Sequence, residues 1–193
     1  MDKSLGKTIC WTPTWKKAHE GIGLEHLLLT ETNADSVVLG IDEERGPFRL
    51  VYRLSWDTGW QLHSAELSLV TERSFDSIAL RTDGKGRWED GAGRRLAELD
   101  GCRDIDIWPT PFTNSFPIRR RLLAIGERQE FRMAWVDGLD LTVRPQPQRY
   151  TRLSESMYLF ESLDGSSFQA ELPVDEDSIV LDYPGLFQRV KVV

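Results

Sequence analysis

Phe48-Arg49-Leu50-Val51-Tyr52-Arg53-Leu54-Ser55-Trp56-Asp57 is the stretch that decides the fold class. Phe48, Leu50, Tyr52, Leu54 and Trp56 fall on one face of an extended chain. Arg49, Val51, Arg53, Ser55 and Asp57 fall on the other. Alternation with a period of two over this length predicts an antiparallel strand with one face in a core and one in water. Asp57-Thr58-Gly59 turns the chain, and 61–72 runs back with Ala65, Leu67 and Leu69 on one face.

The same rhythm extends in both directions. Toward the N-terminus, 36–42 and 24–32 are expected strands around a turn at Asn33-Ala34-Asp35. Residues 8–15, TICWTPTW, form a further strand, placed at a sheet edge or a bulge by Pro13. Residues 16–23 form a polar loop. Toward the C-terminus, 77–82 alternates through Ile78 and Leu80, and Asp83-Gly84-Lys85-Gly86 leads into Trp88. Residues 90–95 are glycine-rich and exposed.

Beyond residue 126 the alternation resumes at Phe131, Met133 and Trp135. Asp137-Gly138 is an expected two-residue hairpin turn into Leu139, Leu141 and Val143, and Pro145 and Pro147 are expected to end that pairing. Expected strands follow at 150–163, 168–174, 179–183 and 186–192. Roughly a dozen strands at this spacing, with no βαβ rhythm, predict a mostly β protein. A single strongly curved antiparallel sheet or incomplete barrel over residues 1–193, one domain with at most one or two short helices, protects its own edges.

Composition excludes several classes. The 193 residues are 40% hydrophobic and 28% charged, which is globular rather than disordered. The net charge of −7 disfavours nucleic acid as a partner. No apolar run reaches the length of a membrane span. Without an apolar leader near the N-terminus, and with only Cys10 and Cys102 as thiols, a cytoplasmic location is expected. His19, His26 and His63 have no metal spacing. No phosphate loop or nucleophile elbow occurs, so no cofactor, metal ligand or catalytic residue is assigned.

Polar chemistry concentrates in Cys102–Leu123, CRDIDIWPTPFTNSFPIRRRLL. Asp104 and Asp106 share a face of a short strand. They suit acid–base work or a cation, or they are partners for nearby arginines. Pro109 and Pro111 interrupt pairing. Asn114 or Ser115 can cap a short helix carrying Pro117 in its first turn, with 119–125 following, although Leu122, Leu123 and Ile125 also fit a strand. Arg119, Arg120 and Arg121 are suited to clamp a phosphate or sugar, or to return to Asp104 and Asp106.

On Gly101-Cys102, Asp104-x-Asp106 and Thr110-Pro111-x-Thr113-Asn114-x-x-Pro117-Ile118-Arg119-Arg120, the chain resembles a bacterial glycolipid-binding family once known only as a domain of unknown function. Trp88-x-Asp90-Gly91 fits the same pattern. The resemblance implies a bent antiparallel sheet similar to that of periplasmic lipoprotein carriers, whose concave face holds lipid chains. It has no catalytic residues to carry over. The expected function is non-enzymatic binding of a glycolipid or other acylated small molecule in the concave face. Trp56, Trp60, Trp88 and Trp135 are expected to line the cavity, and Asp104, Asp106, Asn114, Arg119 and Arg120 to hold the headgroup. A sugar- or lipid-modifying enzyme using Asp104 and Asp106 is one alternative. An interaction module without a small ligand is the other.

Overall fold

The structure, a computed structural model, describes residues 6–14 and 23–190. Trp15, His19 and the expected loop at 16–23 lie outside the described residues, apart from Gly23. The remaining chain is mostly β. Its strands are β1 (Lys7–Pro13), β2 (Gly23–Leu29), β3 (Asn33–Asp42), β4 (Gly46–Trp56), β5 (Leu62–Thr71), β6 (Phe75–Thr82) and β7 (Trp88–Asp90). After these come β8 (Asp104–Trp108), the helix α1 (Ser115–Arg120), β9 (Arg128–Asp137), β10 (Val143–Ser154), β11 (Met157–Ser162), β12 (Gln169–Pro173), β13 (Asp182–Tyr183) and β14 (Phe187–Arg189).

The expected half-barrel is built from two hydrogen-bonded sheets rather than one. A long nine-stranded sheet runs β13-β14-β1-β2-β3-β4-β5-β6-β7, and a curled five-stranded sheet runs β12-β11-β10-β9-β8. They meet along two seams. At one, Val174 and Val180 bridge, and the Leu181 N–H donates to the Pro173 carbonyl at 2.8 Å. At the other, the Trp88 indole N–H donates to the Cys102 carbonyl at 2.7 Å, and the Gly101 N–H to the Gly86 carbonyl at 2.9 Å. Gly86 has φ +105°, and a Cβ there would lie 2.9 Å from the Gly101 Cα. Only glycine combines that backbone with that approach.

The alternation of β4 is realised as expected. Phe48, Leu50, Tyr52, Leu54 and Trp56 are buried, while Arg49 and Arg53 are exposed. Their inward faces join those of β5, β8 and β9 in one core shared by both sheets. Burying each large apolar side chain contributes about 1.5–3 kcal/mol.

All pairs are antiparallel except β8 with β9, which is parallel. Residues 109–127 therefore form a crossover of the length a parallel pair requires, and it contains α1. This is the βαβ unit that periodicity did not reveal. Residues 112–114 form a 3-10 turn that runs directly into the helix. Asn114 therefore does not cap the helix with its side chain. The helix stops at Arg120, and Leu122 and Ile125 lie exposed beyond it.

Four local expectations change. The turn after β2 falls at Glu31-Thr32, because the Thr30 hydroxyl accepts the Asn33 N–H at 3.1 Å, the Thr30 N–H donates to the Asn33 carbonyl at 2.9 Å, and Asn33 already pairs with Ser55 of β4. Pro13 is not on an edge strand, since β1 lies between β14 and β2. It sits where pairing to β2 has already ended. Pro145 and Pro147 do not end pairing but lie opposite Ala134 and Arg132 of β9. The Pro147 carbonyl accepts from Leu163, so its nitrogen faces that same side, away from β9, where no ladder bond is lost. The Asp137-Gly138 connection extends through Thr142. The Gly138 N–H is committed to the Trp108 carbonyl at 2.7 Å, and a Cβ on Gly138 would lie 2.3 Å from that oxygen.

Candidate functional site

The crossover places α1 inside the half-barrel. Trp56 and Trp60 stack with ring centroids 4.9 Å apart, and Phe116 meets both edge-on at 5.3 and 5.4 Å. Phe112 closes the group. Arg119 lies over the Trp60 ring at 4.4 Å and donates to the Asp177 carbonyl. Trp88 is fully buried, its indole spent on Cys102. Among the described residues, Trp56 and Trp60 are packed against the rings of the helix and Trp88 is sealed at the seam, so, contrary to expectation, none of the three lines the seam pocket. Arg119 likewise holds Trp60 and the 177 backbone.

The polar residues of β8 part company. Asp104 is 1% exposed and accepts from Arg120 Nε at 2.8 Å and Nη2 at 2.5 Å. This bidentate pair ties the end of α1 to the start of β8. Asp106 instead accepts from the Thr113 hydroxyl at 3.0 Å and from Gln148 Nε2 at 2.6 Å. Burial raises the Asp106 carboxyl above the ordinary carboxylate range, while those two bonds act to lower it. With one carboxylate locked to a guanidinium and the other facing a different cavity, Asp104 and Asp106 do not form a working acid–base couple.

That cavity, about 280 Å³, opens between the five-stranded sheet and the β13–β14 hairpin. Trp135, Phe160, Phe168 and Tyr183 supply aromatic walls, and Asp106, Asn114, Gln146 and Asp164 supply polar atoms. Arg144 lies over the Trp135 ring at 4.5 Å and holds it in place. Asn114 is fixed by its own acceptance of the Tyr150 hydroxyl at 2.8 Å and its donation to the Pro111 carbonyl at 3.2 Å. Gln146 is buried and directs Nε2 at Ser162 Oγ (3.2 Å) and Asp164 Oδ2 (3.5 Å). Its Oε1 has no hydrogen-bond partner among the described residues. The Ser166 hydroxyl and backbone N–H and the Ser162 hydroxyl hold Asp164 down at about 2, so a fixed anion stands at the rim. The cavity is thus rich in acceptors, and among the described residues no lysine or arginine lines it, although the Arg144 charge acts on Asp164 from its place over the Trp135 ring.

Thr110, on the cavity wall, connects to a second buried carboxyl. Glu25 Oε1 accepts from the hydroxyls of Ser36 (2.9 Å), Tyr52 (2.5 Å) and Thr110 (2.9 Å), and its Oε2 has no partner among the described residues. Among the described residues, no group of three or more His, Cys, Asp or Glu side chains is placed to hold a metal ion.

Of the expected site residues, only Trp135, Asp106 and Asn114 come together at this cavity. Sequence reading missed Gln146, Phe160, Phe168, Tyr183 and Glu25. A signal existed for Gln146: in Pro145-Gln146-Pro147-Gln148 two amides share the inward face of a strand.

Two interlocked sheets around a helix plug, with an acceptor-rich aromatic pocket at the seam, define a β half-barrel protein. The chain belongs to the family described as "Putative glycolipid-binding", whose model matches residues 12–189. It is also similar to a solved crystal structure, that of a DUF1089-family protein from Pseudomonas aeruginosa. The two are 46% identical, the match covers 91% of this chain and 95% of that one, and the TM-score is 0.86. No curated protein matches the sequence.

Proposed function

We propose that this protein is a non-enzymatic binder of a glycolipid or related amphiphile, which it grips by a neutral, hydroxyl-rich headgroup in the seam pocket. The observation that carries this reading is the buried Gln146 of the pocket wall, whose Oε1 has no hydrogen-bond donor among the described residues. Leaving such an acceptor unpaired costs about 1–3 kcal/mol, which a ligand hydroxyl would recover. Asp106 and Asp164 add acceptors, and the aromatic walls offer faces for the C–H side of a sugar ring. The fixed anion at the rim disfavours a phosphate or carboxylate headgroup.

The volume lies just below the ~300–1,000 Å³ typical of small-molecule sites, which suits a headgroup and not acyl chains. The packing of Trp56, Trp60, Phe112 and Phe116 leaves the tail outside the half-barrel. In this reading both sheets act as one domain, and the free thiols of Cys10 and Cys102 fit a reducing, cytoplasmic setting. No helix among the described residues is long and apolar enough to cross a membrane.

The test is a titration with a panel of neutral glycosyl lipids, set beside phospholipids without sugar and followed by Trp emission. Saturable binding of at least one glycosyl lipid is expected. Gln146→Leu and Trp135→Ala should each weaken it about tenfold, the worth of one good hydrogen bond. If no member saturates, or both variants bind like the wild type, the reading is wrong.

A further inference from the structure

At the opposite end of β8 from the seam pocket, a separate groove of about 360 Å³ is lined by Arg103, Arg120, Arg121 and Arg132, together with Asp104 and Glu130. Four guanidinium groups against two carboxylates leave two positive charges uncompensated, on a chain whose net charge is −7. Glu130 is also engaged from outside the groove by Arg149 at 2.7 Å. Arg103 and Arg121 make no side-chain hydrogen bond or ion pair among the described residues. Arg132 reaches the Glu98 carbonyl at 3.5 Å and acts on the Cys102 thiol, with no carboxylate partner among the described residues. Arg120 is held rigid by Asp104 through Nε and Nη2, which leaves Nη1 available.

We infer that this groove is an anion site for a phosphoryl group, independent of the seam pocket. A phosphate monoester carries close to two negative charges at neutral pH and matches the surplus here. Planar guanidinium forks fit its oxygens, and an arginine already fixed by Asp104 loses little entropy on engaging it. The phosphoryl group can belong to a soluble phosphoanion or to a lipid. The chain beside the groove bears on which: Leu122, next to the lining Arg121, and Ile125, four residues after it, are 78% and 60% exposed.

The experiment has two arms and uses the full chain. In the first, inorganic phosphate and pyrophosphate are titrated calorimetrically at low ionic strength. Saturable binding is expected, weakened tenfold or more by Arg103→Ala with Arg121→Ala, two exposed side chains whose loss leaves the fold intact. Arg49→Ala with Arg53→Ala, both exposed on the outer face of β4, remove the same charge and should leave binding unchanged. In the second arm, vesicles of phosphatidic acid in phosphatidylcholine are sedimented with the protein. Vesicle binding that Leu122→Ser with Ile125→Ser abolishes, while phosphate binding persists, identifies a lipid-borne phosphoryl group. Phosphate binding without vesicle binding identifies a soluble one. No saturable phosphate binding, or an equal loss with Arg49→Ala and Arg53→Ala together, overturns the site. Neither outcome bears on glycosyl-lipid binding at the seam pocket.

Discussion

Glu25 shows how much one residue can hide in a regular pattern. In Leu24-Glu25-His26-Leu27-Leu28-Leu29 the alternation sends Glu25 inward with Leu27 and Leu29. A strand is legible there, but a carboxyl at a core position gives no hint of its partners, since Ser36, Tyr52 and Thr110 arrive from other elements. Burial raises the Glu25 carboxyl to about 7, while the hydroxyls of Tyr52, Thr110 and Ser36 pull the other way. Its ordinary value is 4.5. Between these values the folded protein holds a proton that the unfolded chain has released. The resulting stabilisation is full below the unfolded value and is lost as pH rises toward the folded one. At about 1.4 kcal/mol per pH unit, the loss across that window is about 3 kcal/mol. Urea unfolding from about pH 5 to 8 should show this decline in the wild type, and Glu25→Gln, which stays neutral, should flatten it. An unchanged slope in Glu25→Gln would assign the pH dependence to other groups.

At the scale of elements, the 109–127 crossover was the hardest part to read. Its pieces were visible: the prolines that break pairing, the short helix with Pro117 near its start, and charges of opposite sign at Asp104 and Arg120. What the pattern lacked was length, because six helical residues give too few turns for a helical period to outweigh a strand. The parallel pairing of β8 with β9 also leaves no local mark. The role of Phe116 follows from the helix being a plug. It is fully buried against Trp56, Trp60 and Phe112. Phe116→Ala should cost about 3–5 kcal/mol in denaturant unfolding. The resulting cavity would be lined by aromatic rings, and such cavities bind small apolar molecules. Benzene should therefore raise the melting temperature of the variant and leave the wild type unmoved. A loss below about 1 kcal/mol would mean that the helix does not carry the interior packing.

For the whole molecule, the strands of the long sheet were readable one at a time, because each alternates, whereas the pairing of β1 with β14 was not. It joins Trp11 to Arg189 across nearly the full chain, and neither partner carries a sign of the other. Asp175 is the residue that fastens this long-range closure. Its Oδ1 accepts the backbone N–H groups of Asp177 and Ile179, and its Oδ2 accepts Arg189 at 2.6 Å and Lys7 at 3.3 Å. One carboxylate thereby joins β1, β14 and the connection that follows β12. Burial acts to raise its pKa, but the bonds from Arg189 and Ile179 and the charges of Arg189 and Lys7 outweigh it and hold the group below its ordinary 3.8. For a depressed carboxyl the sign is opposite to that of Glu25. The stabilisation is present above the unfolded value and is lost as pH falls through the folded one. Asp175→Ala should cost about 2–3 kcal/mol near neutral pH, the range for hydrogen bonds to charged groups. The deficit against the wild type should shrink as both are acidified below about pH 4. Amide exchange should quicken first in β13, β14 and the 174–181 bridge, because the closure opens there before the core of β3 to β5 is exposed. Uniform acceleration across β4 and β5 would instead mean that the closure and the core unfold as one unit.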